Sequence, residues 1–150
     1  YRSSRGLGDV YKRQNLILNP SWKEGQASSL RAAINTLDST YSDLLIMLGD
    51  LPGIKSSHIN SIIEEHLLTD NRKSKITIPS FKGQKGNPVI WGRSFFHDLS
   101  NLEGDVGGRT LFSEHPAAIN ILEMNDPWVV KDADTPEDFE NFFKYKKQGN

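Results

Sequence analysis

The sequence predicts an α/β domain with a mostly parallel sheet, and three observations support this fold class. Short apolar runs typical of strands alternate with helical patterns along the chain. Residues 43–48 consist of Asp43 followed by an unbroken apolar run, as a parallel strand covered on both faces requires. Leu30, Ala33, Ile34 and Leu37, by contrast, share one face of a helix.

The remaining elements follow from the same periodicities and from turn residues. Ser28 or Ser29 can cap one helix and Ser56 or Ser57 the next, while Thr135 suits the N-cap of the last helix. The closely spaced last two strands suggest some antiparallel pairing. Strands are predicted at 16–18, 43–48, 75–80, 87–91, 119–124 and 128–131, and helices at 28–37, 56–67, 95–102, 110–114 and from Thr135 onward.

Length and composition limit the class of protein. The 150 residues fit one domain, and a 36% hydrophobic fraction allows a core. The absence of cysteine excludes disulfides and thiolate metal sites, and we expect a cytoplasmic protein. A net charge of −1 lacks the basic character of nucleic-acid binders, and no apolar run has the length of a membrane span.

Asp50 is the first candidate for chemistry, because it directly follows the most apolar strand. In open α/β sheets, ligands bind at the carboxyl ends of strands. Magnesium takes oxygen ligands and keeps waters and phosphate oxygens, so that one or two protein carboxylates suffice. The alternative is an aspartate that only stabilises the turn before Pro52.

Three further segments could hold an anion or a metal. Asp132 and Asp134 lie on one side of an extended segment, although the same stretch is also a good helix start. The glycines of 104–109 can direct backbone N–H groups at phosphate, with Arg109 as a bidentate partner. The lysine- and glycine-rich segment 82–88 suits an anionic ligand. Both glycine-rich segments also fit plain surface loops.

The histidines and serines are weaker candidates. The four histidines lack a metal-ligand spacing such as H-E-x-x-H, and we interpret them as surface or packing residues. Ser28 and Ser29 lack the Gly-x-Ser-x-Gly context of a nucleophile, so a helix-capping role is favoured.

Five motifs follow one another along the chain: Asn19-Pro20 with the helix start at 25–33, Leu48-Gly49-Asp50-Leu51-Pro52, Gly86-Asn87-Pro88-Val89, the loop 104–109, and the closing motif 132–138. Taken together, and in this order, they resemble the motifs of molybdenum cofactor cytidylyltransferases over about residues 15–140. Asn87 stands where that family has the histidine of a Gly-His-Pro segment.

The resemblance implies a Rossmann-like, three-layer αβα domain that transfers CMP from CTP to the phosphate of molybdenum-molybdopterin and releases pyrophosphate. Mg²⁺ would be the cofactor, with Asp50 and Asp134 as catalytic metal ligands. Ser29 would lie beside the nucleotide, and Asn87 and Arg109 beside the pterin phosphate or the triphosphate. The other implied nucleotide- or substrate-binding residues are Leu51, Pro52, Pro88, Asp105 and Gly107.

Other readings of the resemblance keep the fold and change the task. Some relatives use another nucleotide or acceptor. A different class is a non-catalytic partner that delivers the molybdenum cofactor to a molybdenum hydroxylase or cooperates with its chaperone.

The family's N-terminal Gly-rich phosphate loop does not appear in this sequence. Residues 15–150 would then be the C-terminal part of one nucleotidyltransferase domain, and we expect this chain by itself to be inactive. Residues 1–14 are expected to be an artefactual tail, because 9–14 (DVYKRQ) resemble a translated sequencing adapter.

Overall fold

The computed structural model describes residues 14–133 together with 135, 137, 138 and 140. Five strands form one sheet, and α-helices cover both of its faces, so that the α/β class is confirmed. The strands are β1 (Asp43–Ile46), β2 (Ile76–Phe81), β3 (Gln84–Lys85), β4 (Val89–Gly92) and β5 (Ile119–Glu123). The α-helices that lie wholly within the described residues are α1 (Gln26–Ile34), α2 (Ser56–Leu68) and α3 (Phe96–Ser100).

The sheet is mixed, because β4 lies between β1 and β2 and runs against both. β1, β2 and β5 share one direction, and β5 pairs with β2 in parallel. The expectation of a mostly parallel sheet therefore holds for the direction of these three strands but not for the described pairings. A short connection from β2 through β3 cannot reverse the chain twice, so β4 must return antiparallel to β2.

A register shift separates β3 from β4, although both pair with the same edge of β2. Ser80 faces Lys85, whereas Thr77 faces Ile90, so that two extra residues lie on the returning strand. The segment 86–88 forms this bulge and contains the cis Asn87–Pro88 peptide. A bulge turns backbone groups out of the ladder and re-aims side chains.

The core lies on one face of the sheet. Alternate residues of the strands point to it and meet α1 and α3, with Trp91 at the centre. Trp91 stacks on Phe112 with ring centroids 5.5 Å apart. The opposite face carries α2, because Thr77 alternates with core residues and its hydroxyl lies 2.8 Å from Nδ1 of His66 in that helix. Buried members of the core are Ile34, Ile76, Ile78, Val89, Trp91, Phe95, Phe96, Leu99, Leu111 and Phe112.

Two predicted strands are wrong. Residues 16–18 pair with none of the described strands. Leu16 and Leu18 are 79% and 89% exposed, so that their apolar side chains are not buried against the described sheet. Segment 128–131 instead contains part of the 3₁₀ turn Pro127–Val129, because Asp126 accepts the Trp128 N–H and starts a turn. The predicted helix at 110–114 is a 3₁₀ turn at Gly108–Phe112.

The predicted serine caps are also wrong. Gly25 is the N-cap of α1, with φ +101°, and Lys55 is the N-cap of α2. Ser28 lies inside the first turn and donates to the Gly25 carbonyl. The predicted cap of the last helix is confirmed, since Thr135 Oγ1 accepts the Asp138 N–H at 3.2 Å.

In the part of the chain that the structure describes, every helix is too short or too polar to cross a bilayer. The predicted tail 1–14 lies outside the described residues, apart from Gln14.

Candidate functional site

The antiparallel course of β4 brings two distant motifs to one edge of the sheet. Ile46, at the end of β1, pairs with Val89, at the start of β4. The turn after β1 carries Asp50, and the bulge before β4 carries Asn87. Both motifs therefore lie at the carboxyl edge of β1, where ligands bind in open α/β sheets.

A cleft of about 370 Å³ opens beside this edge. Its walls are mainly apolar, with polar groups from α1, the bulge and the loop 104–109 around them, as is usual for small-molecule sites. The lining residues are Gln26, Ser29, Leu30, Ala33, Ile46, Leu48, Asn87, Val89, Trp91, Gly107, Gly108, Arg109 and Phe112.

The structure brings four of the predicted binding residues together in this cleft: Ser29, Asn87, Gly107 and Arg109. They come from three motifs that lie up to 80 positions apart, so only folding makes them neighbours. Of the remaining predicted binding residues, Leu51 and Pro52 are half-buried in the turn after β1, Pro88 is fully buried in the bulge, and Asp105 is exposed beside the start of α1.

The loop 104–109 is docked on the N-terminus of α1. The Ala27 N–H donates to the Gly104 carbonyl at 3.2 Å, and the Gln26 N–H donates to Oδ1 of Asp105 at 3.2 Å. Gly25 allows this approach, because a Cβ there would lie 2.6 Å from the Gly104 oxygen. Asp105 thus satisfies a helix N–H group and fixes the loop that presents Arg109.

Asn19 fixes the same helix from the other side. Its amide nitrogen lies 2.9 Å from the hydroxyls of both Ser28 and Ser29 and donates to them. Its carbonyl oxygen accepts the Ser21 N–H at 3.0 Å. The Asn19-Pro20 motif therefore orients the exposed Ser29 at the mouth of the cleft.

Asp50 lies in the turn two residues beyond Leu48, which lines the cleft. Its side-chain Oδ1 is buried, and among the described residues it has no hydrogen-bond partner. Such an atom is costly unless a cation or donor compensates it. The Asp50 carbonyl accepts the Ala133 N–H at 3.0 Å. Asp134, the predicted second ligand, is outside the described residues, as is Pro136 of the same motif.

Sequence reasoning missed part of the cleft. Trp91 and Phe112 form its aromatic wall, and Gln26 lies at its rim against Gly107. The alternation of Val89 and Trp91 on β4 was a usable signal for one apolar face. The stacking of Phe112 on Trp91 joins two distant segments, and no local pattern predicts it.

The histidines were predicted to be surface or packing residues, and two of them are packed inside the molecule. His58 and His66 are buried in α2, and each contacts an aspartate. His58 Nε2 lies 3.1 Å from Asp126, and His66 Nε2 lies 3.1 Å from Asp43. Among the described residues, no three His, Cys, Asp or Glu side chains form a metal-binding group.

The fold and the position of the cleft define the class: an α/β domain of the nucleotidyltransferase type. The chain belongs to the family of MobA-like NTP transferase domains, whose model matches residues 8–119. No curated protein matches the chain.

Solved structures share the fold. Rv0371c from Mycobacterium tuberculosis H37Rv superposes with a TM-score of 0.66 at 24% identity, over 79% of this chain and 60% of that protein. Its homologue from Mycobacterium sp. strain JC1 gives a TM-score of 0.67 at 23% identity, over 97% of this chain and 73% of that one. Rv0371c was also solved in complex with manganese, with a TM-score of 0.60 at 21% identity, over 77% of this chain and 60% of that protein. The chain therefore spans less than two thirds of the length of Rv0371c.

Proposed function

We propose that the whole protein is a nucleotidyltransferase that uses a divalent metal to transfer CMP from CTP to the phosphate of molybdenum-molybdopterin, with release of pyrophosphate. The observation that carries the proposal is the buried Oδ1 of Asp50, which has no hydrogen-bond partner among the described residues. Asp50 follows Leu48 by two positions, and Leu48 lines the same cleft as Ser29, Asn87 and Arg109. The assignment to the nucleotidyltransferases rests on family membership. The choice of CTP and of molybdopterin rests on the motif resemblance.

The residues present fit a Mg²⁺ or Mn²⁺ ion. A carboxylate on a turn directly after a strand is a hard oxygen ligand on a rigid support. Asp50 would hold the ion, with Asp134 as its second ligand, and Ala133 hydrogen-bonds Asp50 from the adjoining position in the chain. Bound metal would supply charge neutralisation on phosphate oxygens. The manganese complex of Rv0371c supports a divalent metal in this role.

Arg109 is the proposed cationic contact for phosphate. It is exposed at the cleft and is presented by a loop that α1 holds in place. The first N–H groups of α1 are already bonded to Gly104, Asp105 and Gly25, so this helix end serves to anchor the loop rather than to bind phosphate. Guanidinium can bind two phosphate oxygens at once, which fixes orientation as well as charge.

The apolar walls suit a planar ring. Leu30, Ile46 and Leu48 are half-buried and offer apolar surface in front of the buried Trp91 and Phe112. Asn87 and Ser29 offer polar groups at the edge of the same cleft. Ser29 accepts from the Asn19 amide, which leaves its O–H proton for a ligand. This combination supports a nucleobase or a pterin as the bound ring.

Pyrophosphate release tests the proposal. The full-length protein is incubated with molybdenum-molybdopterin and CTP, GTP or ATP, and we expect release with CTP. Asp50→Asn should lower turnover about a hundredfold or more, because a metal ion contributes several kcal/mol of charge stabilisation. Asp98→Asn, which alters a surface carboxylate paired with His115 outside the cleft, is the matched control.

The outcomes separate the alternatives. Release with another nucleotide would change the assigned substrate but keep the reaction. Binding of CTP and Mn²⁺ without pyrophosphate release would instead indicate a delivery partner. Full activity in Asp50→Asn would refute the metal site.

A further inference from the structure

One segment contacts both halves of the proposed site. Residues 126–133, here called the strap, run along the carboxyl edge of the sheet. The Val129 carbonyl accepts the Asn87 N–H at 2.7 Å, and the Ala133 N–H donates to the Asp50 carbonyl at 3.0 Å. Val129 and Ala133 are both buried. The strap therefore sets the backbone position of two residues that are far apart in the sequence.

The strap is also packed tightly on the turn that carries Asp50. A Cβ placed on Gly53 would lie 2.2 Å from Cδ2 of Trp128, so the indole ring rests directly on the backbone of that glycine. A Cβ on Gly86 would lie 2.0 Å from the Val129 oxygen. These contacts leave no room for the strap to shift without moving the turn or the bulge.

The start of the strap is anchored to the first turn of α2. Oδ2 of Asp126 lies 3.1 Å from Nε2 of His58 and 3.2 Å from Nζ of Lys55, and Oδ1 accepts the Trp128 N–H at 3.0 Å. Burial acts to raise the pKa of Asp126, but the hydrogen bonds from Trp128 and Lys55 and the nearby positive charge hold that pKa below its ordinary value. The carboxylate is therefore ionised at neutral pH.

The ring of His58 is oriented by its other nitrogen. Nδ1 accepts the Lys55 N–H at 3.3 Å, so Nε2 carries the proton that is donated to Asp126. The two ring nitrogens therefore bond to the start of α2 and to the strap at the same time. His58 joins the helix start to the strap.

We propose that His58 and Asp126 are positioning residues for the metal-binding carboxylate of Asp50, an inference that rests on the proposed metal site. They hold the strap on α2, and the strap holds the turn of Asp50 and the bulge of Asn87. Residues that support metal ligands in this way commonly change metal affinity when they are lost.

The test is Asp126→Asn in the 150-residue chain. Asparagine keeps an acceptor for the Trp128 N–H but removes the charge and turns one acceptor into a donor that faces His58 and Lys55. We expect Mn²⁺ affinity, measured by electron paramagnetic resonance, to fall about tenfold or more. Amide exchange at Asn87 and Ala133 should accelerate, while amides of β2 keep their protection. Asp98→Asn, which breaks another His–Asp pair, should change neither quantity.

A second pair of variants tests the packing of the strap and leaves His58 and Asp126 unchanged. Gly53→Ala pushes a methyl group into Trp128, whereas Gly49→Ala in the same turn has nothing within 4 Å of the new Cβ. Only Gly53→Ala should weaken Mn²⁺ binding. If Asp126→Asn does not fold, these two variants still test whether the strap positions Asp50.

The results distinguish the two proposals. Wild-type chain that binds no Mn²⁺ would overturn the metal site and, with it, the positioning role. Wild-type binding that stays unchanged in Asp126→Asn and Gly53→Ala, even with faster exchange at Asn87 and Ala133, would overturn the positioning role alone and leave a purely structural pair.

Discussion

The two ends of α2 carry similar side-chain pairs that connect the helix to different parts of the molecule. His58, in the first turn, contacts Asp126 of the strap. His66, in the last turn, contacts Asp43 at the start of β1 and Thr77 of β2. The first pair joins the helix to a segment that supports the candidate site, and the second joins the helix layer to the sheet.

The difference lies in what each aspartate holds. Asp43 also accepts from Arg72 Nε at 3.3 Å and from the Ser42 hydroxyl at 2.6 Å, so that its two oxygens serve three side chains. The side chains of Asp43 and His66 are 18% and 2% exposed, compared with 27% and 8% in the other pair. We therefore expect the same two residue types to stabilise the fold in one place and propose that they support the candidate site in the other.

The largest stability effect is expected for Asp43→Asn. The change leaves His66 and Arg72 facing an uncharged group, and breaking a largely buried ion pair commonly costs about 3 kcal/mol or more. Urea unfolding should show this loss in the free energy of unfolding. Because Asp43 does not contact the strap, we expect the folded Asp43→Asn variant to bind Mn²⁺ as tightly as wild type. Weaker binding would contradict the different roles assigned to His66–Asp43 and His58–Asp126.

The stability that Asp43 contributes should also depend on pH. Burial acts to raise the pKa of Asp43, but hydrogen bonds from Ser42, His66 and Arg72 hold it below the ordinary value of 3.8. A lowered pKa contributes stability that is complete above the unfolded-state pKa and is lost as pH falls through the folded-state pKa. The difference in unfolding free energy between wild type and Asp43→Asn should therefore shrink as the pH falls from about 5 through the folded-state pKa of Asp43.

A constant difference across that pH range would show that the packing of Asp43, and not its charge, stabilises the fold.

The smallest effect is expected for the third pair, His115–Asp98. Its nitrogen and oxygen lie 3.2 Å apart, but the side chains are 32% and 37% exposed. Water and salt screen such pairs, so that Asp98→Asn should change the free energy of unfolding by less than about 1 kcal/mol. If Asp98→Asn lowered the free energy of unfolding as much as Asp43→Asn, side-chain exposure would not explain how much each of the three His–Asp pairs contributes to stability.

The motifs were easier to predict than their contacts. Ser29, Asn87, Gly107 and Arg109 were chosen as binding residues from the sequence, and they line one cleft. Their functional roles, and the roles of Asp50 and Asp134, stay predictions. The resemblance was informative because glycines and turn residues at set spacings indicate where the backbone must approach closely.

The support of the site could not be predicted in this way. His58 and Asp126 are 68 positions apart, and neither lies in a recognisable motif. The segment 128–131 looked like a strand because it is apolar. Its first residues instead form part of a 3₁₀ turn, because Asp126 caps that turn and the Val129 carbonyl accepts the Asn87 N–H. Local pattern indicates burial but does not identify the partner.

The amino-acid sequence by itself determined the α/β class, the approximate places of most helices and strands, and the motifs of a MobA-like NTP transferase domain. These depend on local periodicity and spacing, which are present before the chain folds. Only the tertiary structure decided the antiparallel place of β4, the convergence of Asp50 and Asn87 at one edge, and the strap that bonds to both. Those features depend on strand pairing and burial between distant segments, and their energies appear only when the segments meet.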